Sequence, residues 1–213
     1  METDRTWFIV RIDGKVAAIS TDYRLFAQIA ARLATNKCGT SPDSGNCIRE
    51  ISCSRAGFDE VWRLRQTLAW DDMVLFGTPF QKKVWKKLFE LTHGEAITAQ
   101  AEPRARLICY SDFAELCQNR AGVRAVAHAI GLNPVSVVIP CHLVIPKEAS
   151  DKINEIMKNA EVTLFKGDDL CFANRIDFGN YALGADLKRE LIIREFSGYF
   201  AQNKRTAQMT PSL

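Results

Sequence analysis

One tripeptide in this 213-residue chain is set up for nucleophilic chemistry. Cys141 stands between Pro140 and His142, inside an otherwise apolar run from Val135 to Pro146. A thiolate is a soft nucleophile, and a free cysteine titrates near about 8.5 unless a neighbouring base or cation lowers that value. The adjacent imidazole is a base that works near neutral pH. On these residues alone two readings stay open: an activated thiol, or the small buried hydrophobe that most single cysteines are.

Further residues fall in order around the tripeptide. Gly77-Thr78-Pro79-Phe80-Gln81 is followed by Val84-Trp85 and Leu88, then by Cys109-Tyr110-Ser111-Asp112-Phe113-Ala114. Arg124-Ala125-Val126 leads to Asn133-Pro134 and to Ile139-Pro140-Cys141-His142; Gly179-Asn180-Tyr181, Lys188 and Glu195 come later. In this order and spacing the chain resembles the O6-alkylguanine-DNA alkyltransferases, the methylated-DNA–protein-cysteine methyltransferases. The likeness runs from Gly77 to Val144 and resumes from Gly179 to Glu195.

The resemblance implies an α/β N-terminal domain (1–76, ribonuclease H-like) and a mainly α C-terminal domain (77–200) with a winged helix-turn-helix. It implies Cys141 as the acceptor that takes a methyl or alkyl group from O6 of guanine and keeps it, so that each molecule acts once. His142 falls at the position that takes the thiol proton through a water, Glu195 at the carboxylate that orients the histidine, and Asn133 at the brace of the active-site turn. Tyr110 falls at the hydroxyl that donates to the base. Tyr110, Tyr181, Lys188 and Ser136 match substrate-binding positions, and Arg124, Ser111 and Ala125 match DNA-binding ones. The target carbon is out of reach in a stacked duplex, so the base must be flipped out, and Arg124 is the side chain expected to replace it. The implied partner is double-stranded DNA carrying alkylated guanine, bound by a monomer, with no cofactor and no metal.

The chain departs from the family at four places. Leu143 replaces the usual arginine after the histidine, and Ser136 replaces a proline lining the base pocket. Ala182-Leu183 follow Tyr181 where a small polar or glycine pair is usual. The segment between Ile145 and Gly179 (147–178) is some two dozen residues longer than the family's Gly-rich loop. Three competing classes are a non-reactive binder of alkylated DNA, a helix-turn-helix transcription regulator, and a Cys-His hydrolase. Cys141 argues against the first. Sequence-specific binding would favour the second and true turnover the third.

These side chains need elements to hold them. Trp7 to Val10 and Val16 to Ile19 across Asp13-Gly14 read as a hairpin, and Tyr23 to Ala34 and Phe58 to Leu68 read as helices. Residues 36–47, rich in Gly, Ser, Asn, Pro and Asp, read as a loop, with Cys38, Cys47 and Cys53 in polar loop sequence. A boundary is expected near Gly77-Thr78-Pro79. Beyond it, Phe80 to Leu91, Tyr110 to Cys117 and Val123 to Ile130 read as helices. The last two are separated by a Gly-containing turn, the pattern of a helix-turn-helix. Trp85, Cys109 and Cys117 are expected in the core, and His128 is left as structural. Arg104, Arg106 and Arg120 are candidate phosphate contacts or simply solvated. In the insertion, Ile153, Ile156 and Met157 suggest one or two amphipathic turns, Val162 to Phe165 a strand and Gly167-Asp168-Asp169 a turn. Lys188 to Phe196 reads as the last helix and 201–213 as a frayed tail.

Composition is that of an ordinary globular chain, 47% hydrophobic and 25% charged. The net charge of +3 is too small to argue for a nucleic-acid partner by itself. No apolar run reaches the roughly 18 residues of a spanning helix, and the N-terminus carries no signal-peptide pattern. Seven cysteines without CxxC spacing suggest reduced, cytoplasmic usage, and with only three histidines no zinc site is expected.

Overall fold

The computed structural model describes residues 5–35, 50–93, 107–159 and 176–195. The readings for 36–47, including Cys38 and Cys47, for Arg104 and Arg106, for 162–169, for Cys171 and for 201–213 lie outside them. The chain divides into two compact units, Met1–Lys82 with Asn133–Ile139, and Lys83–Leu132 with Pro140–Leu213. A short stretch just upstream of Cys141, Asn133–Ile139, belongs with the first unit.

The first unit is built on a three-stranded antiparallel sheet. β1 (Trp7–Ile12) pairs with β2 (Lys15–Ser20) through the expected hairpin. Asp13 and Gly14 both take positive φ, 48° and 80°, which matches the twist of the flanking strands. β3 (Ile51–Ala56) lies on the other edge of β1, giving the order β2-β1-β3. This strand was not expected. Its sequence ISCSRA carries three polar residues, and Cys53, read as a loop cysteine, is half-buried in it. α1 (Arg24–Thr35) begins where Asp22 Oδ1 accepts the Arg24 backbone N–H at 2.9 Å. It covers one sheet face through Ile29, Leu25 and Phe26 against Val10, Ile12, Ala17 and Ala18. α2 (Phe58–Thr67) follows.

α3 (Pro79–His93) starts one residue before the expected Phe80 and ends two beyond the expected Leu91. Thr78 and Gln81 form a reciprocal capping box, at 2.8 and 3.2 Å, with Pro79 in the first turn. Residues 133–139 return to the sheet of the first unit: Ile19 N–H donates to Pro134 O at 2.9 Å and Ser136 N–H to Ile19 O at 3.1 Å.

In the second unit the remainder of α3 buries Val84, Trp85, Leu88 and Phe89. Trp85 Nε1–H donates to Ala129 O at 2.8 Å, so this ring is core. β4 (Ile108–Cys109) leads into α4 (Tyr110–Leu116), a tight turn through Arg120–Gly122, and α5 (Val123–Gly131). Cys109 and Cys117 are buried as expected. β5 (Val144–Ile145) pairs in parallel with β4, a contact that two-residue strands cannot announce in sequence. α6 (Lys147–Asn159) is a continuous 13-residue helix rather than one or two turns. α7 covers 185–195, starting three residues before Lys188. Among the described residues no helix is long and apolar enough to cross a membrane, and no group of metal-ligating side chains is assembled.

Candidate active site

The chain reaches Cys141 through a stiff approach. Asn133 Nδ2–H donates to Ile139 O at 2.8 Å, and its Oδ1 accepts Val135 N–H at 3.0 Å. One buried amide thus closes the 133–139 loop from both ends. Inside that loop Val137 sits at φ 74° and is fully buried. A β-branched residue in this region is strained by about 1–3 kcal/mol and persists only where its surroundings over-determine it. The Asn133 brace and the two backbone bonds to Ile19 supply that determination. Ser136 is held by its backbone in the same loop and is buried.

After Pro140 the chain makes a single 3-10 turn, Cys141–Leu143, closed by Leu143 N–H to Pro140 O at 3.0 Å. The turn sits between apolar segments, so Cys141 and His142 are carried inward; their exposures are 5% and 0%. The thiol reaches Tyr181 Oη at 3.8 Å. His142 Nε2 lies 2.9 Å from Glu195 Oε1, with both side chains buried. A carboxylate only accepts, so Nε2 carries the proton of this bond and Nδ1 is the ring atom able to take one up. Adjacency in sequence placed Cys141 beside His142. The fold supplied Glu195 from 53 residues further on.

Lys188, on α7, has no exposed surface. Its Nζ donates to Val144 O at 2.8 Å and reaches Asn180 O at 3.5 Å. It lies 5.8 Å from the centre of the Tyr110 ring. Burial pulls its pKa down to about 8, while the Cys141 thiolate and Asp177 pull it back up. Burial, and then the negative thiolate, push the Tyr110 phenol above its usual value. Lys188 and Tyr110 therefore both keep their protons at neutral pH.

The remaining expected residues lie on α4 and α5. Ser111 Oγ is 3.0 Å from Cys109 Sγ and donates to Asp112 Oδ1 at 3.2 Å. Arg124 and Ala125 are exposed on α5, opposite the buried Val126, Ala129 and Ile130. His128, read as structural, is exposed one turn beyond Arg124 on the same face, and Leu132 just after the helix is 46% exposed. The α-helical period of 3.6 residues already places 124 and 128 together. The second unit thus brings together Cys141, His142, Glu195, Tyr110, Tyr181 and Lys188, and presents Arg124, Ala125 and Ser111 on α5 and α4.

The second unit carries a buried cysteine next in the chain to a buried His142–Glu195 pair. Residues 79–160 match the family model of the 6-O-methylguanine DNA methyltransferase DNA-binding domain. The chain is 45% identical over 76 residues to a probable methylated-DNA–protein-cysteine methyltransferase of Acanthamoeba polyphaga mimivirus, covering 36% of this chain and 44% of the relative. It is 42% identical over 74 residues to the inducible methylated-DNA–protein-cysteine methyltransferase of Bacillus subtilis, covering 35% of each. The matches thus span less than half the length of these relatives. Among solved structures, the O6-methylguanine-DNA methyltransferase of Pyrococcus kodakaraensis aligns with 92% of this chain and 95% of that one, at 20% identity and a TM-score of 0.48. Through residues 79–160 the chain is thus similar to the DNA-binding domain of the 6-O-methylguanine DNA methyltransferases.

Proposed function

We propose that this protein reverses O6-alkylguanine damage in double-stranded DNA by moving the alkyl group onto Cys141. The observation that carries the reading is the buried His142–Glu195 pair at 2.9 Å, with a buried cysteine next to the histidine in the chain. In this scheme the thiol proton passes by way of a water to His142 Nδ1, and Glu195 stabilises the imidazolium that forms. Cys141 Sγ forms a bond to the saturated carbon as the carbon–O6 bond breaks, and that electron pair leaves on the guanine. The Tyr110 hydroxyl donates to the guanine as this charge develops. Lys188 supports the thiolate, and Tyr181 and Ser136 keep the substrate-binding roles that the resemblance gives them. The thioether is stable, so the protein acts once and needs neither cofactor nor metal.

On this reading α4 and α5 form the helix-turn-helix, and the first unit is the ribonuclease H-like domain. The exposed face of α5 enters the minor groove with Arg124 replacing the flipped nucleotide, and Ala125 and Ser111 lie against the backbone. A monomer carries out the reaction. The test is intact-protein mass after incubation with a duplex holding one O6-methylguanine, with Cys141→Ala in parallel. A stoichiometric gain of one methyl, lost in the variant, is expected. Preference for the lesion duplex without mass gain would make this a lesion binder instead.

A further inference from the structure

The segment between Ile145 and Gly179 has no role in the scheme above. Its described parts, however, are built into the core of the second unit. On α6, Ala149 and Ile153 are one turn apart and buried, 2% and 5% exposed. They pack in one cluster with Ile145 of β5, Ile176, Phe178 and Ile192 of α7, flanked by Leu107 and Ile193. The two feet of the segment also meet. Gly179 has φ +78°, and a Cβ there would stand 2.8 Å from Pro146 Cγ, so the chain leaves and returns at one point.

That cluster joins the two segments that hold the acid–base pair. Ile145 lies three residues after His142, and Ile192 three residues before Glu195. On α7, Lys188, Ile192 and Glu195 follow one another at i, i+4 and i+7, on one face. Each takes a partner on the segment that follows Cys141. Lys188 holds Val144 O, Ile192 shares the cluster with Ile145, and Glu195 holds His142. The polar contacts flank the apolar one in sequence, and Ala149 and Ile153 of α6 belong to the same apolar cluster.

We infer that α6 is a splint for the His142–Glu195 pair, and that Ile153 is a positioning residue acting through it. Truncating Ile153 opens a gap at the joint between β5 and α7, and the imidazole and carboxylate lose register. Misplacement of a reacting group by about 1 Å can lower a rate by about a hundredfold. The effect on rate rests on the alkyl-acceptor reading; the effect on the pair itself does not.

The experiment has two readouts on the full chain. The first is the low-field proton resonance of the His142 Nε2–H in wild type, Ile153→Ala, Ile153→Val and Ala149→Gly. Ala149→Gly makes a smaller gap at the same joint and serves if Ile153→Ala does not fold. The second is the single-turnover methyl-transfer rate at saturating lesion duplex, for the same variants alone and combined with Glu195→Gln. We expect the resonance to broaden or vanish in Ile153→Ala and to return in Ile153→Val. The rate should fall about 10- to 100-fold with duplex affinity unchanged, and this loss should largely disappear in the Glu195→Gln background. An unchanged resonance and rate, or losses that add in full, would overturn the inference. If wild type transfers no methyl but Ile153→Ala still loses the resonance, the splint stands and the alkyl-acceptor reading falls.

Discussion

α5 and α7 are short amphipathic helices of the same unit, and they treat their charges in opposite ways. α5 buries Val126, Ala129 and Ile130 and leaves Arg124 and His128 in solvent. α7 buries Leu187, Leu191 and Ile192 and, on the same face, Lys188 and Glu195. A charge left in water has no desolvation cost, so α5 can hold Arg124 ready for an anionic partner. A charge taken inside must find partners at once. Lys188 finds Val144 O and Glu195 finds His142, and through those bonds α7 is locked to the segment that follows Cys141. The exposed helix is suited to recognition and the buried one to holding chemistry in place.

The strongest way to break this contrast is Glu195→Ala. It leaves His142 buried without its carboxylate, and removing one member of a buried pair costs about 3–5 kcal/mol. Urea unfolding should show that loss, and methyl transfer should collapse with it. A loss below about 1 kcal/mol would mean the pair is not the tie it looks like.

Lys188 gives a pH signature that α5 cannot. Its pKa is about 8 in the folded protein against 10.5 for an ordinary lysine. Below pH 8 both states are protonated and the cost of burying the charge is fully present. Between 8 and 10.5 the unfolded chain binds more protons than the folded one, so stability rises with pH. The 2.5-unit gap corresponds to about 3 kcal/mol across that window. Lys188→Met should flatten the rise, measured as the difference between wild-type and variant unfolding free energies from pH 7 to 10.5. A parallel pair of curves would mean that Lys188 is solvated.

Arg124→Ala should show the reverse profile on α5. Its stability should stay within about 0.5 kcal/mol of wild type. Its affinity for duplex DNA should fall about tenfold, close to 1.4 kcal/mol, in a titration at fixed salt. His128→Ala should fold equally well. If Arg124→Ala unfolds the protein, the exposed face of α5 is structural and the contrast fails.

Local pattern made much of the frame legible. The Asp13-Gly14 hairpin, the start of α3 beside Pro79 and the apolar period of α5 depend on neighbours within one or two turns, and each lies close to where the pattern puts it. β3 was missed because an edge strand exposed on part of its surface can carry Ser52, Ser54 and Arg55 without an apolar signal. β4 and β5 were missed because two residues have no period. α6 was underestimated: its apolar face is narrow, and only packing against Ile145, Phe178 and Ile192 explains why Ala149 belongs to it.

The sequence by itself determined that a cysteine and a histidine would lie together on a proline-bounded apolar turn, because that needs only adjacency. It also determined which family's spacing the chain follows. Only the tertiary structure decided that Glu195 reaches His142 across 53 residues, that Lys188 is inside while Arg124 is outside, and that α6 packs in one cluster with Ile145 of β5 and Ile192 of α7. Burial of a charge is settled by whether distant segments bring it a partner at bonding distance, and no local pattern contains that information.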